Sequence, residues 1–340
     1  MTVDEQSPVI EDQPQREASW WERLISGSSS WIGLILFGLI VVFTVLRPDE
    51  FSDVSNARNI ATDAAVLLVL STGLTYVIIT AGIDLSVGGV LVFSGVVSAK
   101  AMNEVGGNNW GVIFVGLGIA LLAGAAWGIF NGFLVSKAKI PSFIVTLGTL
   151  GMSLGSALLI TGGVDEREVP FKLISTIGTG RFAEQVPYLV IIAVAVALVF
   201  GVLLAKTRFG RYTYAVGSNL EGTRRAGVAV DRHLMRVYAL CGLLAGLAGF
   251  LSLARFGTTT IGGHSTDNLN AIAGVVIGGT SLFGGVGTML GTFFGVLIPA
   301  VLQNGFIIVG VQPFWQQVAV GAVLIIAVYL DQLRRSRYRQ

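Results

Sequence analysis

The chain has 340 residues, of which 53% are hydrophobic and 12% charged, against roughly a quarter charged in a soluble domain. Apolar stretches of about 20 residues recur, each long enough to cross a hydrocarbon layer roughly 30 Å thick, which excludes a soluble enzyme with one buried core. The net charge is +2 with no lysine-rich block, so nothing points to a nucleic-acid partner. One cysteine, Cys241, rules out an internal disulfide, and with only His233 and His264 beside it no Cys/His metal site assembles.

Residues 1–30 carry six acids against two arginines, the opposite of a signal peptide's basic start, and read as a retained cytoplasmic tail. Ten membrane-spanning helices are expected after it, at approximately 31–46, 59–81, 87–102, 110–135, 143–161, 187–205, 237–254, 271–283, 288–304 and 313–330. The eighth is short. Polar stretches interrupt the series at 162–186 and 206–236, and residues 331–340 form a basic C-terminus. With both termini cytoplasmic, the inward-facing segments hold 15 of the 22 Lys and Arg residues, the bias that keeps basic span ends inside. The expected fold is therefore an all-α polytopic membrane protein: a tail at 1–30, a transmembrane domain at 31–330 in contact with the lipid bilayer, and the C-terminus at 331–340.

Glycine is abundant, with 45 residues. Four-residue spacing in Gly124, Gly128, Gly132 and in Gly287, Gly291, Gly295 aligns small residues on one helix face, the pattern of close helix crossings in lipid.

None of the five lysines follows a glycine, so the chain has no GxxxxGK[ST] phosphate loop and cannot hydrolyse ATP alone. No cofactor is expected. Only Asp63 and Asp84 qualify as intramembrane acids, too few for an ion-coupled carrier. Asp84 or Ser86 is placed to cap the third expected span. In the inner loop, Ser218 and Glu221 have the spacing of a capping box, Arg224 and Arg225 suit a helix C-terminus, and Gly227 suits its termination. A helix of about eight residues has no independent stability, so it is expected to rest in a partner's groove.

These segments, in order, resemble the permease subunit of bacterial ABC importers of the ribose, xylose and simple-sugar type. The resemblance runs over about residues 50–330, carried by Gly82 to Gly88, Asn131 to Val135, Ile140 to Leu150, Gly210-Arg211 with Ala215 to Asn219, and Ala271 to Ala273 with Ile277 to Gly285. It implies an inner-membrane homodimer driven by separate ATPase subunits that use the ATP, and fed by an extracytoplasmic sugar-binding protein. It also implies that the segment holding Gly217, Ser218, Asn219, Glu221, Arg224 and Gly227 docks on the ATPase. The chain departs from the family pattern at Gly222, Thr223 and Arg225, and again at Asn268, where the family often has glutamate and a contact at the outer mouth. Asp84, Asn131, Thr146, Thr149, Gln303 and Asn304 are the candidates for the solute path. The same architecture also serves as an expectation for nucleosides, branched-chain amino acids or furanose signals. An ion-coupled carrier is the rival from another class.

Overall fold

The computed structural model describes residues 28–264, 266–312, 315, 317–322, 325–326, 328–329 and 332, with side chains from Ile32 onward. Most of the acidic tail and of the basic C-terminus lies outside the described residues.

The helices are α1 (Ser28–Leu46), α2 (Pro48–Phe51), α3 (Val54–Ile79), α4 (Val87–Val105), α5 (Trp110–Ser136), α6 (Ser142–Thr161), α7 (Phe171–Leu173), α8 (Tyr188–Lys206), α9 (Arg208–Ser218), α10 (Leu220–Arg225), α11 (Val230–Phe256), α12 (Asp267–Ile277) and α13 (Met289–Val309). Helix α7 runs on into a π turn, Ile174–Gly178. Strands β1 (Arg181–Phe182) and β2 (Val186–Pro187) pair antiparallel, with Arg181 opposite Pro187. Further helical residues lie between 315 and 332.

Among the described residues, six helices are long and apolar enough to cross a membrane: α3, α5, α6, α8, α11 and α13. They divide into two classes by burial. The apolar windows of α3 and α11 are 89% and 78% buried, whereas those of α5, α6 and α8 are 33% or less. α3 and α11 thus form the centre, and the others turn apolar side chains such as Phe114, Leu159 and Leu198 outward, as a lipid solvent requires.

The glycine faces make two close crossings. A Cβ on Gly124 would stand 2.2 Å from the Gly242 oxygen, and one on Gly128 would stand 2.3 Å from the Tyr238 oxygen. The α5 glycines therefore let the α11 backbone approach to contact. Gly291 and Gly295 do the same for α13 against α12, each with a Cβ position 2.0 Å from an α12-side carbonyl, Gly278 or Gly274. Helix association in lipid gains little from hydrophobic burial, so this close van der Waals contact is what holds the pairs.

Three expectations need correction. The stretch expected as a span at 271–283 is helical only to Ile277 and then runs non-helically to Thr288. Gly279, Gly284 and Gly285 take φ of 84°, 82° and 76° there, a backbone that residues with a Cβ resist. The inner loop at 206–236 is almost entirely helical, being α9, α10 and the first turns of α11. The seventh expected span begins at Val230 rather than 237, so Asp231, Arg232 and Arg236 lie on the helix itself.

Candidate functional site

Helices α9 and α10 meet at a sharp corner. Thr207 caps α9 by accepting the Gly210 N–H at 3.3 Å, and the corner residue Asn219 is extended, with φ −157°. Its side-chain oxygen accepts the Gly222 N–H at 2.7 Å and so caps α10. Ser218, the expected cap, is instead the last residue of α9. Asparagine adopts the capping role because its acceptor reaches a free N–H of the first turn. Glu221 pairs with Arg224 at 3.1 Å within α10 rather than reaching back to close a capping box. The expected end of the helix is observed: Gly227 has φ 85° and the Val228 N–H bonds to the Thr223 oxygen at 3.3 Å, as in a Schellman closure. Gly217, Ser218, Asn219, Glu221, Arg224 and Gly227 thus lie on one continuous bent segment.

Two junctions fasten this segment. At the first, Gly217 stands against the end of α3 and the non-helical stretch between α12 and α13, the second break in the helices: a Cβ on it would sit 1.8 Å from the Ile79 oxygen and 2.6 Å from the Gly285 nitrogen. The Gly285 N–H donates to that Ile79 oxygen at 2.8 Å, and Tyr214 of α9 donates to the Gly287 oxygen at 2.8 Å. Burial holds the Tyr214 hydroxyl above its ordinary pKa, so it stays a donor. At the second junction, Asp231 receives Lys139 at 2.7 Å and Arg224 at 3.3 Å, with Lys137 at 3.8 Å. One carboxylate therefore ties α10 and the α5–α6 turn to α11. Sequence reasoning missed Asp231; its signal was being the lone acid among the basic residues after Gly222.

The exposed part of α10 presents Leu220, Glu221, Arg224 and Arg225. Leu220 is a large apolar side chain left in the open, as a docking surface requires. Of the departures from the family pattern, Gly222 and Arg225 are exposed, while Thr223 is buried and donates to the Asn219 oxygen at 2.7 Å. Beneath α10 lies a cavity of about 350 Å³ lined in part by Lys139, Glu221, Arg224, Asp231 and Tyr238.

Three of the six path candidates, Asp84, Asn131 and Thr146, belong to a buried polar cluster around the first break, the non-helical stretch between α3 and α4. Asp84 is 1% exposed and its Oδ1 accepts the Ser86 N–H at 2.9 Å and the Ser86 hydroxyl at 2.6 Å. The expected cap of α4 is not made by either residue: Ser86, at the N-cap position, makes no side-chain bond to the helix, and Asp84, three residues before Val87, fixes Ser86 instead. Asn131 donates to the Ser86 hydroxyl at 2.8 Å. The Thr146 hydroxyl shares its proton between the Ser142 oxygen of its own helix at 2.8 Å and the Ile83 oxygen at 3.2 Å, and the Ser142 hydroxyl accepts the Ile83 N–H at 3.2 Å. Thr149 bonds back to the Val145 oxygen at 3.0 Å. Asn268, expected near the outer mouth, is buried and donates to the Leu85 oxygen at 3.2 Å. A backbone that leaves the helix inside a membrane must find its partners in protein, and Asp84, Ser142, Thr146 and Asn268 supply them. Asn304 donates to Asn56 at 2.8 Å, tying α13 to α3.

Gln303 lies elsewhere. Helix α11 starts beside α10 and is 27 residues long, about 40 Å at 1.5 Å per residue, so Arg255 and Phe256 at its end mark the opposite face. There Gln303 lines a cavity of about 220 Å³ with Asp63 and Arg255. Among the described residues, no cluster of three His, Cys, Asp or Glu could hold a metal.

No solved structure matches the chain. It is 36% identical over 306 residues to the ribose import permease protein of Escherichia coli strain K12, covering 89% of this chain and 93% of that one. It is 34% identical to the fructose import permease protein of Rhizobium meliloti over 93% and 88% of the two chains. The D-allose transport system permease protein of Escherichia coli is 33% identical over 98% of each. Residues 56–328 match the family model described as the permease component of the branched-chain amino acid transport system, and the chain belongs to that permease family.

Proposed function

We propose that the chain is the permease subunit of an ATP-binding-cassette importer that carries a monosaccharide across the bacterial inner membrane. The observation that carries this reading is the α9–α10 segment: a capped helix too short to stand alone, presenting Leu220 and charged residues, fastened at its root to Ile79, Gly285 and Asp231. The named relatives import ribose, fructose and allose, which favours a sugar over a nucleoside or branched-chain amino acid.

In this reading α10 docks on a separate ATPase subunit and the opposite face receives a sugar-binding protein. Ten spans, cytoplasmic termini and pairing with a second copy complete the arrangement. The positive-inside bias supports the orientation. ATP-driven movement of α10 is passed to α3 and the second break through Gly217, and to α11 through Asp231. The chain performs no bond chemistry of its own. Asp84 is a structural ligand of the first break and carries no coupling ion.

The test is uptake by proteoliposomes holding the chain, its ATPase and its binding protein. Uptake requires ATP, stops with vanadate, continues when ionophores collapse proton and sodium gradients, and is competed by the cognate monosaccharide. Accumulation by the chain alone under an ion gradient would overturn the reading.

A further inference from the structure

The cavity on the face opposite α10 combines features that the fold does not need. Its walls come from α3, α11, α12 and α13, helices distant in sequence. Arg255 of α11 donates to Asp63 of α3 from Nη2 at 2.9 Å and from Nε at 3.3 Å, both to Oδ1. The second carboxylate oxygen stands outside that pair. Asn270 and Gln303 add amide donors and acceptors to the lining, and Phe256, half exposed, adds an apolar wall. The base is rigid: His264, 7% exposed, is held at Nδ1 by Asp267 at 2.6 Å and at Nε2 by Ser252 at 2.7 Å. A polar side chain locked from both sides is preorganised rather than adaptable.

We infer that this cavity is a recognition site for a neutral polyhydroxylated solute the size of one sugar ring, set by Asp63, Arg255, Asn270 and Gln303. The inference deepens the importer reading and rests on it. Size comes first. A volume of about 220 Å³ lies below the roughly 300–1,000 Å³ of clefts for drug-sized ligands, which suits one small ring. Charge comes second. Asp63 is paired with Arg255 and Asp267 with His264, so a phosphorylated sugar or an amino acid carboxylate finds the arginine already engaged. Chemistry comes third. Adjacent hydroxyls both donate and accept, which suits a carboxylate oxygen beside amides, and the C–H face of a ring suits Phe256.

Gln303 gives the test because it is exposed and its replacement leaves the packing intact. The complete complex in proteoliposomes is assayed for uptake of D-ribose, D-fructose and D-allose and of deoxy analogues of whichever is transported. Gln303→Leu is expected to raise the KM of the transported sugar about 2- to 12-fold, the range of one neutral hydrogen bond, with unchanged kcat. It also narrows the ratio between the sugar and one deoxy analogue, and Gln303→Glu, which keeps an acceptor, restores part of that ratio. Wild-type uptake with the same ratio in Gln303→Leu overturns the site alone. A KM rise matched by an equal loss of binding-protein affinity, at constant ratio, also overturns it and makes the cavity a protein-docking surface. Failure of the wild-type complex to take up any of the three sugars overturns the importer reading and the site with it.

Discussion

Gly217→Ala tests the junction on which the proposed transmission of movement depends. The added methyl would begin 1.8 Å from the Ile79 oxygen and 2.6 Å from the Gly285 nitrogen. Ordinary contact lies near 3.5 Å, so α9 and the end of α3 must part by about 1.7 Å, and backbone atoms on both sides offer no flexible side chain to swing away. Overpacking of this kind costs about 1–3 kcal/mol, and a destabilisation of that size is expected. A total stability of about 5–15 kcal/mol leaves the chain folded but loosens the root of α10. Thermal unfolding of purified protein is compared with Gly148→Ala, where no atom lies within 4 Å of the added carbon and the helix gains up to about 1 kcal/mol. Gly217→Ala should unfold at a clearly lower temperature, and the assembled complex should hydrolyse ATP with less sugar moved per ATP. Equal unfolding temperatures and full coupling in the two variants would refute the reasoning.

Topology is checked in a Cys241→Ala background: Ser175→Cys, exposed on the segment after α7, should react with an impermeant thiol reagent in intact cells, whereas Arg225→Cys on α10 should react only after permeabilisation. The reverse pattern overturns the orientation. Asn219→Ala removes the α10 cap at about 0.5–2 kcal/mol and should weaken copurification with the ATPase, while Ser218→Ala should not; equal effects would show that the cap is misassigned. Asp84→Asn keeps the Oδ1 acceptor for Ser86 and should retain substantial uptake, whereas Asp84→Leu strands buried donors at about 1–3 kcal/mol each and should lower protein yield. Loss of uptake in well-folded Asp84→Asn would instead favour a titrating carboxylate.

The helices themselves were legible because a run of about 20 apolar residues has one stable form in lipid. Most of the expected segments coincide with helices to within a few residues. The two breaks were not legible, since hydropathy counts composition and not conformation: Ala81, Gly82 and Ile83 are as apolar as a helix, and Gly278 to Gly287 look like the tail of one. Only the short eighth segment hinted at the second break. The same blindness affected the polar residues. A threonine such as Thr146 reads alike whether it faces a solute or repairs a broken backbone, and only its bond to Ile83 distinguishes the two. Ser218 and Asn219 were adjacent candidates for one cap, and the end of α9 decided between them. The opposite cavity draws on residues from 62 to 303, so no motif marked it.

The arrangement of α3 and α11 gives the proposed cycle a physical basis. Each is long, 26 and 27 residues, or about 40 Å end to end, and each is buried along most of its length. α3 ends at Ile79 beneath Gly217 and carries Asp63 in the opposite cavity; α11 begins with Asp231 beneath Arg224 and carries Arg255 across from Asp63. The same two helices are therefore gripped by the α9–α10 segment at one face and joined by an ion pair at the other. Cys241 of α11 lies against Gly73 of α3, whose Cβ position is 2.9 Å from the Cys241 Cα, so the pair touches near its middle. Close-packed backbones resist compression there. Under the proposed function, a force that spreads or closes the helices at α10 thus acts about this contact and changes the separation of Asp63 and Arg255. The half-exposed ion pair contributes little to stability, so it can open at small cost when that separation grows. A cavity governed by a weak pair at the end of two stiff helices has the properties that alternating access requires of a solute site.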